Sequence, residues 1–177
     1  MFRIKIILSV ILLSFIIHLP VHAGDDIEKV GEVFTFLLPA TAAGLTVYNK
    51  DTRGMIQLGE SAVLALGVSY ALKYTIDETR PNGEDHSFPS NHASIVFASA
   101  EFMRKHYGWE YGIPAYLAAS FVAYSRVEAE QHYTHDVLAG AAIGILSSYF
   151  FTEPYKNLQV SLDYDHDYYG ILLSWAF

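Results

Sequence analysis

Five apolar segments separated by short polar loops follow the first 23 residues of this chain. They run over about residues 32–48, 58–76, 91–106, 111–125 and 136–151. Their richness in Ala, Leu, Gly and Ser is typical of helices rather than strands. Small residues in the last segment, Gly140, Ala141, Ala142 and Gly144, favour close helix–helix contact. The pattern predicts an all-α fold, a compact bundle of five to six helices that occupies residues 24–156.

The N-terminus has the pattern of a secretory signal. Arg3 and Lys5 precede an apolar run from Ile6 to Pro20, and Ala23 is the expected cleavage residue. The alternative is that residues 1–23 form a first membrane span that is not cleaved. In both cases the chain after Ala23 is expected to leave the cytoplasm.

The charged residues alternate in sign from one loop to the next. Basic residues occupy every second loop (Lys50, Arg53, Arg104, Lys105, Lys156), and the other loops are acidic (Asp25, Asp26, Glu28, Asp77, Glu78, Glu84, Asp85, Glu128, Glu130). The positive-inside rule predicts this alternation for a bundle that spans a membrane. Several segments have only about 15 apolar residues where a span needs about 20. A soluble helical domain is therefore the alternative.

The last residues, 157–177, have a different period. Apolar residues alternate with smaller or polar ones from Tyr169 to Phe177 and again from Leu158 to Leu162, a spacing typical of strands. This short tail is predicted to be β-like, a hairpin with its turn at residues 163–167.

Composition narrows the class of protein. A length of 177 residues suits one domain, and 52% of the residues are hydrophobic while only 17% are charged. The formal net charge of −8 argues against a nucleic-acid partner, because phosphate backbones are bound by basic surfaces. The chain has no cysteine, which excludes disulfides, thiolate metal sites and a cysteine nucleophile.

Three short stretches concentrate reactive residues where helices meet the acidic loops. The first is Lys73 followed after six residues by Arg80-Pro81, the second is residues 88–92 (Phe-Pro-Ser-Asn-His), and the third begins at Ser125-Arg126 and includes His132 and Asp136. Because the acidic loops all lie at the same end of the predicted bundle, the three stretches are expected to converge there.

The cations predict a phosphate site. Lys73, Arg80 and Arg126 would repel one another unless an anion lay between them, and guanidinium groups match phosphate oxygens. Ser90 is a good helix N-cap, so the amides after it, at Asn91 and His92, would point at the anion.

His132 and Asp136 predict a nucleophile and its partner. If a helix begins by His132, the two side chains share a face, and the carboxylate fixes the imidazole tautomer. The other ring nitrogen would then attack phosphorus and form a phosphohistidine, with His92 as the general acid. No metal or other cofactor is needed in this scheme.

These residues resemble the type 2 phosphatidic acid phosphatase superfamily, which includes lipid phosphate phosphatases, bacterial acid phosphatases and vanadium haloperoxidases. Its motifs Lys-x6-Arg-Pro, Pro-Ser-Gly-His and Ser-Arg-x5-His-x3-Asp match Lys73–Pro81, Pro89–His92 and Ser125–Asp136 in order and spacing, except that Asn91 replaces the usual Gly. The resemblance implies a lipid phosphate substrate, such as phosphatidate, phosphatidylglycerol phosphate, undecaprenyl diphosphate or the phosphates of lipid A. It places the enzyme in a bacterial-type inner membrane with a periplasm-facing site.

Two alternatives remain open. The first is a soluble periplasmic acid phosphatase or phosphotransferase that acts on small phosphomonoesters, in the periplasm or at the outer membrane. The second is a metal-binding protein, in which His132, His135 and Asp136 bind a divalent ion with help from His86 and His92. His135 and Tyr133 are otherwise expected only to line the pocket.

Overall fold

A computed structural model describes residues 25–155, 158–165 and 168–175. These residues form five helices, α1 (Asp25–Tyr48), α2 (Thr52–Thr75), α3 (Asn91–Tyr107), α4 (Trp109–Glu128) and α5 (Thr134–Phe151). The predicted all-α bundle of five to six helices is confirmed, although four of the helices begin earlier than the apolar pattern indicates. The predicted signal segment, residues 1–23, lies outside the described residues.

Helix α3 lies at the centre of the bundle and packs against each of the other four helices. Its apolar core includes Val96 and Phe102, which lie close to Phe34 and Leu38 of α1 and Val122 of α4. These side chains are almost completely buried. Burial of a side chain of this size stabilises a fold by about 1.5–3 kcal/mol.

Two glycines bring α5 into backbone contact with α3. A Cβ at Gly140 would lie 2.4 Å from the Ser90 carbonyl oxygen, and one at Gly144 would lie 2.2 Å from the Ser94 carbonyl oxygen. Neither separation is sterically tolerable. The small residues of this segment therefore serve the close helix contact that the sequence predicts.

Helix α2 has its polarity reversed relative to a helix of a soluble protein. The buried side of α2 carries small and polar residues (Gly54, Gln57, Ser61, Ala65, Ser69, Lys73), and its exposed side carries large apolar ones (Met55, Ile56, Val63, Leu64, Val68, Tyr70, Tyr74). An apolar outer surface is stable in lipid rather than in water.

Among the described residues, two helices have the length and hydropathy of a membrane span. They are Asp26–Tyr48, of 23 residues, and Thr52–Thr75, of 24 residues, in which an 18-residue stretch has a mean hydropathy of 1.5 and 1.4, respectively. Large apolar side chains are also exposed on α4 and α5, for example Leu117 and Phe150. The protein is a membrane protein, as the loop charges predict.

The end of the bundle that carries the basic loops is closed by buried polar contacts. His106, at the end of α3, bonds through Nε2 to Asp51 Oδ2 at 2.5 Å and through Nδ1 to the carbonyl oxygen of Glu153. Asp51 also caps α2 by accepting from the Gly54 amide at 2.8 Å. Gly108, with φ of 96°, makes the sharp turn between α3 and α4.

Two strands follow the helices. Strand β1 (Leu158–Asp165) pairs antiparallel with β2 (Tyr168–Trp175), with Leu158 opposite Trp175 and Asp165 opposite Tyr168. The β-like tail is therefore present. Its first strand extends three residues into the predicted turn, to Asp165.

Candidate active site

The three motif stretches meet at the end of the bundle opposite His106. This end combines the last turns of α2 and α4, the first turns of α3 and α5, and the loops that join them. Four buried side-chain atoms in the described part of the chain lack a hydrogen-bond partner: Arg80 Nε, Asn91 Oδ1, His132 Nδ1 and Asp136 Oδ1. All four belong to residues that the sequence predicts for the site. Unsatisfied buried polar groups are costly, so their concentration here indicates a place for a polar ligand.

Lys73 reaches the site from the last turn of α2. Its buried ammonium donates to the carbonyl oxygens of His86 at 2.5 Å and Ser87 at 3.2 Å. These bonds hold the loop between α2 and α3 against the helix end. The charge is thereby fixed at the pocket.

Arg80 lies in the same loop, where Pro81 after it disfavours helical geometry. Its Nη1 donates to Gln131 Oε1 at 2.8 Å and to Glu84 Oε2 at 3.0 Å. The contact with Gln131 connects the first motif to the third. Gln131 was not predicted as a site residue, because its position next to His132 is the only indication of that role in the sequence.

Arg126 is almost completely buried at the end of α4, with an exposed fraction of 2%. Its Nη2 donates to the Glu28 carbonyl oxygen at 2.8 Å, and Nη1 lies 3.6 Å from Glu28 Oε1. Sequence reasoning missed Glu28 because the apolar pattern starts α1 only at residue 32.

The second motif forms the N-terminus of α3. Ser90 is the predicted N-cap: its Oγ accepts from the Ala93 amide at 3.4 Å, and its own amide donates to the Asp136 carbonyl oxygen at 3.1 Å. Asn91 and His92 occupy the first two positions of the helix and are half-buried. The pKa of His92 is lowered to about 4, first by burial and then by the charge of Arg126.

His132 and Asp136 are both buried and lie side by side, but not on one helix face. Helix α5 begins at Thr134, so His132 lies in the preceding loop. Its Nδ1 is 3.4 Å from Asp136 Oδ2, longer than a normal hydrogen bond. The predicted shared helix face is wrong. The loop nevertheless turns the imidazole toward the carboxylate, because the His132 amide bonds to the Arg126 carbonyl oxygen at 3.1 Å.

The Asp136 carboxylate accepts two hydrogen bonds. Its Oδ2 accepts from Ser87 Oγ at 2.5 Å and from the Tyr133 amide at 2.9 Å. The second bond is a capping interaction at the start of α5, where a carboxylate is favourable. Sequence reasoning missed Ser87, which lies two residues before Pro89 and is completely buried.

The cations of the pocket also act on the ionisation of His132. Burial first, and then the charges of Lys73 and Arg80, lower the pKa of its imidazole to about 4. At neutral pH the ring is therefore uncharged and retains a free electron pair on one nitrogen. Neutral imidazole is the form that can act as a nucleophile.

His135 lies at the mouth of the site and is 58% exposed. Its ring stacks on Tyr133, with centroids 5.4 Å apart. Its Nε2 is 2.9 Å from Glu78 Oε1 and 3.1 Å from Asp136 Oδ1. Among the described residues, the candidate metal ligands are Glu78, His135 and Asp136. The metal alternative predicted His132, His135 and Asp136, with help from His86 and His92. The structure instead brings His135 and Asp136 together with Glu78.

Comparison with known proteins identifies relatives across most of the chain. The family model described as PAP2 superfamily matches residues 82–159. A lipid A 4'-phosphatase of Helicobacter pylori is 31% identical over 150 residues, covering 77% of this chain and 75% of the relative. A lipid A 1-phosphatase of Porphyromonas gingivalis is 38% identical over 101 residues, covering 54% of this chain and 21% of the relative.

Two solved structures have a similar fold. The transmembrane PAP2-type phosphatidylglycerolphosphate phosphatase of Bacillus subtilis aligns with a TM-score of 0.57 at 22% identity, over 83% of this chain and 92% of that one. LpxE of Aquifex aeolicus aligns with a TM-score of 0.55 at 20% identity, over 67% and 82%. Together with the relatives in sequence, they confirm the resemblance noted from the motifs. The chain belongs to the PAP2 superfamily and is a phosphatase, a hydrolase of phosphoric esters.

Proposed function

We propose that this protein is a metal-independent lipid phosphate phosphatase that acts at the periplasmic surface of the inner membrane through a phosphohistidine. One arrangement carries the proposal. Nδ1 of the buried His132 imidazole lies 3.4 Å from Asp136 Oδ2, and the charges of Lys73 and Arg80 lower the pKa of the ring. A nucleophile, its orienting carboxylate and a set of cations for phosphate therefore share one small volume.

In the first step, His132 Nε2 attacks phosphorus while Nδ1 faces Asp136. A P–N bond forms, the bond from phosphorus to the lipid oxygen breaks, and His92 gives its proton to that oxygen. The His132 ring becomes charged, and the Asp136 carboxylate stabilises that charge.

In the second step, water attacks the phosphohistidine. His92 takes a proton from the water, the P–N bond breaks, and inorganic phosphate leaves with His132 neutral again. Because His92 is uncharged in the free enzyme, it must gain the first proton when the phosphate arrives. The bound anion offsets the positive charge of Arg126 and thereby raises the pKa of His92.

The phosphate oxygens would be held by Lys73, Arg80, Arg126 and the amides at the start of α3. Arg80 Nε is buried without a partner among the described residues, so it can donate to the phosphate without breaking another bond. Fixed cations and amides stabilise the charge of the transition state, which is the role a metal has in other phosphatases.

The surface of the bundle supports a lipid substrate. Apolar side chains such as Tyr74 on α2 and Leu138 on α5 are exposed close to the ends that form the site. A lipid could therefore keep its chains in the bilayer while its phosphate enters between helices. The relatives named lipid A 4'-phosphatase and lipid A 1-phosphatase support the same substrate class.

The loop charges support a periplasmic site. Lys50 lies in the loop between α1 and α2, Arg53 in the first turn of α2, and Arg104 and Lys105 in the last turn of α3. All four lie at the end of the bundle opposite the motifs. By the positive-inside rule this basic end faces the cytoplasm. The site would then open to the periplasm.

Phosphate release by the purified protein tests the proposal. The substrates are lipid A, phosphatidate, phosphatidylglycerol phosphate, undecaprenyl diphosphate and a water-soluble phosphomonoester, each with a chelator present. We expect turnover of one or more lipids despite the chelator, and a loss of about 10³-fold or more in His132→Ala.

The matched control is His135→Ala, which should keep turnover because His135 is exposed at the mouth of the site and has no part in the two steps. A phosphoenzyme that is labile to acid and stable to base should be trapped from the native chain and be missing in His132→Ala. Turnover of only the water-soluble ester would favour the soluble acid phosphatase function instead. Full activity of His132→Ala would refute the phosphohistidine mechanism.

A further inference from the structure

Glu78, His135 and Asp136 form a group of ligand atoms beside the catalytic pocket. Nε2 of His135 lies 2.9 Å from Glu78 Oε1 and 3.1 Å from Asp136 Oδ1. One ligand atom from each of the three residues lies within 4.8 Å of the other two. The mechanism proposed above uses Asp136 through its other oxygen, Oδ2, and gives neither Glu78 nor His135 a role.

One oxygen in this group is left without a partner. Asp136 is completely buried, and among the described residues its Oδ1 accepts no hydrogen bond, although it lies only 3.1 Å from the imidazole nitrogen. His135 Nε2 can carry a single proton, and its hydrogen bond is made with Glu78 at 2.9 Å. Two carboxylates therefore face one donor, which leaves a buried anionic oxygen unsatisfied.

The spacing of the three atoms suits a small divalent cation. A tetrahedral zinc ion with ligands at about 2.0–2.1 Å separates each pair of ligand atoms by roughly 3.3 Å. The two measured separations from His135 Nε2 are within a few tenths of an ångström of that value. One imidazole and two carboxylates are ligands that zinc accepts, and a water at the exposed side would complete four-coordination.

We propose that Glu78, His135 and Asp136 form an inhibitory binding site for a divalent cation of the zinc type. The cation replaces the proton on His135 Nε2 and satisfies Asp136 Oδ1. It also withdraws negative charge from the carboxylate that stabilises the charged His132 ring during phosphoryl transfer. The inhibition rests on the role proposed for Asp136, whereas the binding of the cation does not.

Calorimetric titration of the chelator-treated full chain with zinc alone tests the binding. We expect one zinc per chain, with an affinity that falls by about 10- to 100-fold in His135→Gln and in Glu78→Gln, since each substitution removes a ligand. His86→Gln is the matched control, because His86 lies in the same loop as Glu78 but outside the ligand group. Its affinity for zinc should equal that of the native chain.

The inhibition is tested on phosphate release with and without zinc. The native chain and His86→Gln should lose turnover as the site fills, and His135→Gln should keep its metal-free rate at the same zinc concentration. Equal zinc affinity in the native chain and His135→Gln would overturn the site. Equal inhibition of the two would overturn the regulatory role. Both results are independent of whether His132→Ala abolishes turnover, so the proposed mechanism and this site can fail separately.

Discussion

Glu28 of α1 and Arg126 of α4 are joined by two contacts that span 98 residues of sequence. The Arg126 guanidinium donates to the Glu28 backbone carbonyl at 2.8 Å and faces its carboxylate at 3.6 Å. A helix outside the three motifs therefore fixes one of the predicted phosphate-binding groups. The backbone contact sets its position, while the carboxylate competes with the substrate for its charge.

Replacing the Glu28 carboxylate should improve substrate binding. Glu28→Gln keeps the backbone bond and removes the competing charge, so we expect KM to fall by about two- to fivefold with little change in kcat, the range of a partly exposed ion pair. Steady-state kinetics on the preferred lipid measure this. Asp26→Asn on the same helix is the control and should change neither constant. A higher KM in Glu28→Gln would show that the carboxylate positions Arg126 rather than competing for it.

A side chain at Gly31 should separate α1 from the site. A Cβ at this position would lie 1.9 Å from Ser125 Oγ and 3.3 Å from Arg126 Nη2. We expect Gly31→Ala to destabilise the protein by about 1–3 kcal/mol, as overpacking does, and to lower activity. Thermal unfolding in detergent measures the loss.

Gly44 provides the matched substitution on the same helix. A Cβ there has no atom within 4 Å among the described neighbours. Gly44→Ala should therefore raise the free energy of unfolding, by up to about 1 kcal/mol through helix propensity. An equal loss of stability in both variants would contradict the close approach of α1 to Ser125.

Ser87 should be required for efficient turnover because its hydroxyl holds the Asp136 carboxylate. Its hydroxyl donates to Asp136 Oδ2, and its carbonyl oxygen accepts from Lys73. Ser87→Ala leaves the carboxylate less fixed, and the loss of one buried bond to a charged group, about 1.5–3 kcal/mol, corresponds to roughly 10- to 150-fold in kcat. Ser99→Ala removes a buried hydroxyl that bonds only to the Ile95 backbone, and should leave kcat unchanged.

Phosphate binding should be accompanied by proton uptake. The pKa of His92 is lowered to about 4 in the free protein by burial and by Arg126. A bound anion opposes the second cause, so the pKa rises toward its ordinary value and the ring gains a proton near pH 5–6. Calorimetry of inorganic phosphate binding in two buffers of different ionisation enthalpy measures the uptake. It should decrease in His92→Gln, and an unchanged uptake would remove His92 from the proton transfer.

Acidic side chains around the cradle should favour substrates of lower charge. Glu78 and Glu84 contact His135 and Arg80, so their charges lie at the entrance. A lipid monophosphate should be hydrolysed faster than the matching diphosphate, since the second phosphate would approach these carboxylates. Relative kcat/KM values for one lipid in both forms test this, and faster turnover of the diphosphate would contradict it.

The helices could be predicted from the sequence because their apolar runs are long, but their first turns could not. Residues from Asp25 to Lys29 are helical and mostly charged, so hydropathy does not reveal them. The Glu28 contact with Arg126 was missed for that reason. Similarly, the charge alternation of the loops identifies a membrane protein, while the apolar outer face of α2 becomes visible only when its buried side is known.

The motif residues of the site could be named from their spacing, but not the residues that hold them. His132 and Asp136 are adjacent as predicted, yet through a loop rather than a helix face. Ser87 and Gln131 contact the motifs through tertiary structure, from positions 49 and 51 residues away in the sequence from their partners. A short sequence motif carries no information about contacts between residues that far apart in the chain.

The contact of Gly140 and Gly144 with the α3 backbone has a consequence for substrate range. With no side chain between them, α3 and α5 pack in direct backbone contact, and they carry His92 and Asp136 at their adjoining ends. Acyl chains of different length or number, held on the outer faces of the bundle, would therefore leave the spacing of these two groups unaltered. Substitutions on the outer faces of the helices can therefore change which acyl chains are accepted without altering the residues of the site.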